Sequence, residues 1–201
     1  FPLLRGRRVA VLANQTSRVG DEHLVDLLHR SGVRLTAIFS PEHGFRGTAD
    51  AGEHVASSVD ERTGVPIRSL SDGRTRRPSD EAMRSFDVLL VDMQDVGLRF
   101  YTYYISMLRM MDACADFGRA VVVLDRPNPN GSYIDGPVLD MKYKSGVGAL
   151  PIPVVHGLTM GEIARMAVGE GWAKPCDLTV VPCRRYTHAT RYELPVAPSP
   201  N

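Results

Sequence analysis

The sequence predicts an α/β fold of Rossmann type, with a mostly parallel sheet and helices on both faces. Three observations lead there. Short, β-branched apolar runs end in polar residues, segments of helical period lie between them, and the two kinds alternate along the chain. The runs are 8–14 (RVAVLAN), 34–40 (RLTAIFS), 88–94 (VLLVDMQ), 120–125 (AVVVLD), 152–156 (IPVVH) and 177–183 (DLTVVPC). Their near-continuous hydrophobicity predicts strands buried on both faces, joined by right-handed crossovers. Leu24, Leu27 and Leu28 after Asp21 mark a first helix, and Tyr104, Met107, Leu108, Met111 and Ala115 mark a longer one. Ser79 followed by Asp80 and Glu81 reads as a helix start, and Thr159 with Glu162 reads as a capping box ahead of Ile163, Met166 and Ala167. Residues 45–64 are polar and aperiodic, which predicts a long loop, functional or mobile. The 73–78 segment with Arg74, Arg76 and Arg77 reads as a solvated turn.

Length and composition narrow the function classes. A chain of 201 residues has room for one sizeable core, and 24 Lys and Arg against 23 Asp and Glu create no overall field toward nucleic acid or an anionic membrane. Cys114, Cys176 and Cys183 lack CxxC spacing, so neither a disulfide framework nor a zinc knuckle is indicated. No apolar run approaches the ~20 residues of a membrane span. The chain opens Phe1-Pro2-Leu3 without a signal-peptide pattern, which leaves the compartment open.

In an open parallel sheet ligands gather at the carboxyl ends of the strands. Here those ends read Asn14-Gln15-Thr16, Ser40-Pro41-Glu42-His43-Gly44, Asp92-Met93-Gln94-Asp95, Asp125-Arg126-Pro127-Asn128 and His156, five polar tips on one rim. The turn after the first strand has neither GxGxxG nor GxxxxGK[ST], so a pyrophosphate cradle is missing. A metal-dependent hydrolase using His43 and His156 is an alternative without a tight ligand motif, and no GxSxG elbow supports a serine nucleophile. Paired carboxylates with neutral polar side chains suit glycoside hydrolysis, in which one acid protonates the leaving oxygen and a second group activates water, attacks the sugar or stabilises charge. Glu42 is the natural general acid, with Asp92, Asp95 and Asp125 as possible second carboxylates. Phe100, Tyr101 and Tyr103 offer either a sugar-stacking face or core.

The motif series resembles the NamZ-type exo-β-N-acetylmuramidases, glycosidases of bacterial peptidoglycan recycling. The matching segments are NQT at 14–16, FSPEHGFRG at 39–47, DAG at 50–52, TRRP at 75–78, DMQDVGLRFYTY at 92–103, LDRPNP at 124–129, DGPVL at 135–139, PIPVVHGLT at 151–159 and PSPN at 198–201. The resemblance implies release of terminal, non-reducing N-acetylmuramic acid from peptidoglycan fragments, without a nucleotide or an obligatory metal. It implies Glu42 as the leading catalytic residue, and on the reading of the residues a nearby aspartate, Asp92 or Asp125, or a group of the substrate supports the second step. It also implies substrate contacts at Asn14, His43, Arg46, Gln94, Asp95, Arg99, Tyr101, Arg126, Asn128 and His156. The lactyl carboxylate of the sugar gives Arg99, Arg126 or Arg46 a bidentate task. In the family a Rossmann-like domain precedes a smaller α/β domain across the active-site cleft. Residues 1–201 are thus expected to be the first of two domains, inactive alone, in an exported or cell-envelope protein, with a cytoplasmic place also open. A non-catalytic binder of peptidoglycan fragments is the other alternative.

Overall fold

Strand β1 (Val9–Ala13) is buried along its whole length and forms the axis of the sheet. The computed structural model describes residues 1–41, 45, 58–70 and 77–197. Around β1 the sheet adds β4 (Leu35–Ser40), β6 (Pro66–Ser69) and β5 (Ser58–Val59) on one side and β7 (Val88–Asp92), β8 (Ala120–Leu124) and β9 (Leu178–Val181) on the other. The order is β5-β6-β4-β1-β7-β8-β9, parallel throughout except for the β5–β6 pair. A hairpin of β2 (Arg18–Val19) and β3 (Glu22–His23) stands apart from it. The chain starts at β1, runs outward through β4 and β6, then returns to β7 and runs the other way. The topological switch point therefore falls between β1 and β7.

Alternate residues of each strand feed two cores. Ala10, Leu12, Phe39, Leu89, Val91, Val121 and Val123 face α2 (Asp80–Arg84), α3 (Tyr103–Phe117) and α4 (Met160–Gly169). Val9, Val11, Ile38, Val88, Leu90 and Val122 face α1 (Leu24–Arg30). Helices thus cover both faces, as the sequence requires of strands this apolar.

Local chemistry starts the helices. Ser79 Oγ accepts from Ala82 N and caps α2, and Thr159 and Glu162 close the capping box of α4. Helix α1 begins later than Asp21: His23 is its cap, accepting at Nδ1 from Val25 N. Helix α3 ends at Gly118 in the left-handed region (φ 61°), where a Cβ would be strained.

Three expectations need correction. Residues 152–156 form no strand; Pro151 and Pro153 lack the N–H a ladder requires, and Val155 makes only isolated antiparallel bridges to Leu98 and Asp135. Strand β9 is buried on neither face, alternating half-buried and exposed residues because it lies at the edge of the sheet. The 45–64 segment ends in a strand, β5, and β6 was missed because Pro66 and Arg68 interrupt its apolar pattern.

Candidate active site at the strand ends

The turn leaving β1 folds back on itself. Asn14 Oδ1 accepts from Thr16 N (2.9 Å) and Thr16 Oγ1 (2.6 Å), an Asx turn that fixes the amide. Ser17 Oγ accepts from Asn14 N and donates to Asp92 O, while Thr16 Oγ1 accepts from Gln94 N at 2.8 Å. The tips of β1 and β7 are thereby stitched together across the switch point. His23 Nε2 donates to Asn14 O (2.8 Å), since its Nδ1 already accepts from Val25 N. The His23 ring packs edge-on against buried Phe45, centroids 4.7 Å apart. Phe45 and Pro41 are the described residues on either side of Glu42 and His43, which with Arg46 lie outside the described residues.

Asp92 is buried and paired. Both its oxygens accept from Arg126, at 2.6 Å from Nε and 2.9 Å from Nη2, and Nη2 also donates to Arg18 O. Burial pushes the Asp92 carboxyl up, and the two bonds from Arg126 oppose that shift. Gln94 is equally committed: its Nε2 donates to Asp95 O (2.8 Å) and Pro127 O (2.7 Å), and its Oε1 accepts from Tyr192 at 3.4 Å.

Asp125 joins the end of β8 to the start of α4. Its Oδ1 accepts from Gly161 N (2.8 Å) and Arg126 N (3.1 Å), its Oδ2 from Thr159 Oγ1 (2.7 Å). A Cβ on Gly161 would lie 2.8 Å from the Asp125 carboxyl carbon, so only glycine permits this approach. Burial, the largest influence, raises the Asp125 carboxyl despite these donors.

A second group lies beside the first. Asp95 Oδ1 accepts from Gly97 N (2.7 Å) and stands 3.9 Å from His156 Nε2, while His156 Nδ1 accepts from Leu158 N. Asp95 Oδ2, His156 Nε2 and Asn14 Nδ2 are buried without a hydrogen-bond partner among the described residues. Burial pushes the Asp95 carboxyl up to about 7 and the His156 imidazole down to about 4. Asn128 donates to Leu158 O (2.9 Å) and accepts from Asn130 N (2.8 Å). Its amide lies where a Cβ on Gly97 (φ 79°) would collide at 2.5 Å.

The other named residues turn elsewhere. Arg99 Nη1 donates to Pro137 O (2.8 Å) and Ile152 O (2.7 Å), bracing two loops. Tyr101 and Tyr103 are buried, rings edge-on at 5.0 Å, which makes them core, whereas Phe100 is exposed. Arg77 pairs with Asp116, and Arg74 and Arg76 lie outside the described residues. Among the described residues no three His, Cys, Asp or Glu side chains are grouped to hold a metal ion, and no helix is long and apolar enough to cross a membrane. Sequence reasoning missed Ser17, His23, Tyr186 and Tyr192; the serine was readable as the last member of the turn after β1, but the others come from distant segments. Beside the β1 tip opens a cleft of about 640 Å³, lined by Gln15, Arg18, Glu22, His23 and Arg62 among others.

Comparison with known proteins decides the family. The family described as Exo-beta-N-acetylmuramidase NamZ, N-terminal, matches residues 9–201. The chain belongs to this NamZ N-terminal family. It is 43% identical to the peptidoglycan beta-N-acetylmuramidase NamZ of Bacillus subtilis (strain 168), over 98% of this chain and 49% of that protein. Two crystal structures of DUF1343 family proteins from Bacteroides fragilis share the fold. One is 56% identical with a TM-score of 0.90, covering 100% of this chain and 53% of the other. The second is 38% identical with a TM-score of 0.87, covering 96% and 49%. The chain thus spans about half the length of the relatives it matches.

Proposed function

We propose that this chain is the first half of an exo-β-N-acetylmuramidase, releasing terminal, non-reducing N-acetylmuramic acid from peptidoglycan fragments. One observation carries the reading: motif residues from three segments, Asn14-Gln15-Thr16, Asp92 to Asp95 and Asp125 to Asn128, form continuous hydrogen-bond networks at the switch point of a NamZ-family sheet. The cleft of about 640 Å³ shares Gln15 with this network and is otherwise walled by the β2–β3 hairpin, α1 and the turn at Arg62 and Thr63. The relative's name supplies the substrate class.

In this reading Glu42 is the general acid. Support comes from its chain neighbours: Ser40 ends β4 beside β1, and Phe45 packs on His23, which holds Asn14. Asp92 and Asp125 have both oxygens engaged, so their task is to position the rim rather than to attack the sugar. Arg126 and Arg99 are committed within the protein, which makes Arg46 the first guanidinium to test against the lactyl carboxylate. The second half that the relatives carry would supply the opposite wall, excluding water and orienting substrate.

The test uses the complete protein and a chromogenic N-acetylmuramide. Glu42→Gln is expected to lower kcat by about 10²-fold or more, the usual scale for loss of a general acid. Unchanged turnover would remove Glu42 from the mechanism. Sugar binding by calorimetry with no hydrolysis by the unmutated protein would favour a binding role instead.

A further inference from the structure

After β9 the chain crosses back over the strand ends, and one histidine fastens it there. His188 Nδ1 lies 3.1 Å from Gly131 O and its Nε2 lies 2.9 Å from Glu162 Oε1. Both partners accept only. A neutral imidazole carries one N–H and satisfies one of them; an imidazolium satisfies both. Two tyrosines tie this contact to the site, and two backbone features shape the strap that carries them. Tyr186 OH accepts from Asn128 N at 3.3 Å and lies 3.4 Å from Asn128 O, and Tyr192 OH donates to Gln94 Oε1 at 3.4 Å. Gly131 lets the strap approach, because a Cβ there would meet Tyr186 OH at 2.4 Å. Arg185, at φ 56°, is the non-glycine residue in the left-handed region among those described, a conformation that surrounding contacts must hold.

We propose that His188, as an imidazolium bridging Glu162 and Gly131, is a positioning residue that clamps the 184–194 strap and, through Tyr186 and Tyr192, holds the turns of Asn128 and Gln94 that shape the substrate rim. The part of this that concerns substrate rests on the glycosidase reading above. The ionisable groups facing His188 are Glu162 from α4 and Tyr186 from the strap, ring centroid 6.0 Å away, with the Gly131 and Gly157 backbone completing the surround. The Glu162 hydrogen bond raises the imidazole pKa most, burial opposes it next, and the Glu162 charge and these backbone groups add to the rise. A raised pKa means the clamp is fully present below the ordinary value of 6.5 and is lost as pH rises through the folded-state value.

The first measurement is an NMR titration of the His188 ring, with strap amide exchange divided by the intrinsic rate at each pH. His188 is expected to titrate above 6.5, with strap protection falling about three- to fivefold across that step, a modest change because the ion pair is partly exposed. Glu162→Gln keeps the α4 cap but removes the charge, so the His188 titration should move down; in His188→Gln the pH step in protection should vanish. Titration below 6.5, or protection indifferent to pH and to both variants, overturns the clamp. The second measurement uses the complete protein: His188→Gln should raise KM about threefold at pH 6 with kcat little changed, and wild type at high pH should match the variant. A pH-dependent clamp with an unmoved KM overturns the positioning role. Absence of any muramidase activity would overturn the glycosidase reading and with it the substrate role, while the NMR measurement would still decide the clamp.

Discussion

Asp92 and Asp95 leave the same strand and are equally buried, yet they hold opposite positions in the electrostatics of the site. Asp92 receives two bonds from a guanidinium, and its neighbours Ser17 and Thr16 close the circuit around it. Asp95 receives backbone donors at one oxygen, leaves the other without a partner among the described residues and faces a neutral histidine. A satisfied buried charge is a brace; an under-satisfied one is a group whose proton inventory changes near neutral pH. The rim thus separates a rigid half between β1 and β7 from a titratable half around Gly97 and His156.

The most severe test of that contrast removes one partner of the brace. Arg126→Met or Asp92→Leu alone should cost about 3–5 kcal/mol in urea unfolding, because each strands a buried charge, and the double variant should cost less than either. A single-variant loss under ~1 kcal/mol would erase the distinction. The second test reads pH. Asp95, raised from 3.8 to about 7, favours the fold below 3.8 and loses that contribution as pH climbs to about 7. His156, lowered from 6.5 to about 4, contributes above 6.5 and loses its share as pH falls toward 4. The two slopes oppose each other: between about 4 and 6.5 folding moves a proton from imidazole to carboxyl with little net uptake. Asp95→Asn should therefore unmask stability rising with pH, and His156→Gln stability falling with pH, each by about 2–3 kcal/mol over the window. Parallel slopes in the two variants would sink the idea.

Asp125 extends the satisfied class. Gly161→Ala should lower stability by about 2 kcal/mol, because its Cβ meets Val180 and the Asp125 carboxyl. Thr159→Ala should cost about 1 kcal/mol, with Thr159→Ser recovering most of it through the same cap and the same bond to Asp125. Thermal unfolding of the four proteins side by side would rank these effects.

Much of the fold was legible because burial on two faces leaves continuous apolar runs, and β1, β4, β7 and β8 carry them. Residues 152–156 looked equally apolar, but alternating prolines deny the ladder its donors, a backbone constraint that composition hides. At the site, Asn14, Gln94 and Asp125 were visible as polar residues ending strands. Their tasks were not, since a carboxylate reads the same whether it meets Arg126 or a neutral histidine. Tyr186, His188 and Tyr192 were invisible for a related reason: nothing in a tail without helical or strand period says which distant turns it will touch.

The edge position of β9 carries its own consequence. A short terminal strand with Thr179 and Val181 exposed has one row of amides and carbonyls that no strand among the described residues takes up. That row is a template onto which a second molecule can add, the first step of aggregation in concentrated solution. Pro182 immediately after it and Pro175 shortly before, with Lys174 and Arg184 beyond, cut the template to a few residues and charge its ends. The prolines flanking β9 thus limit edge-to-edge pairing of this chain.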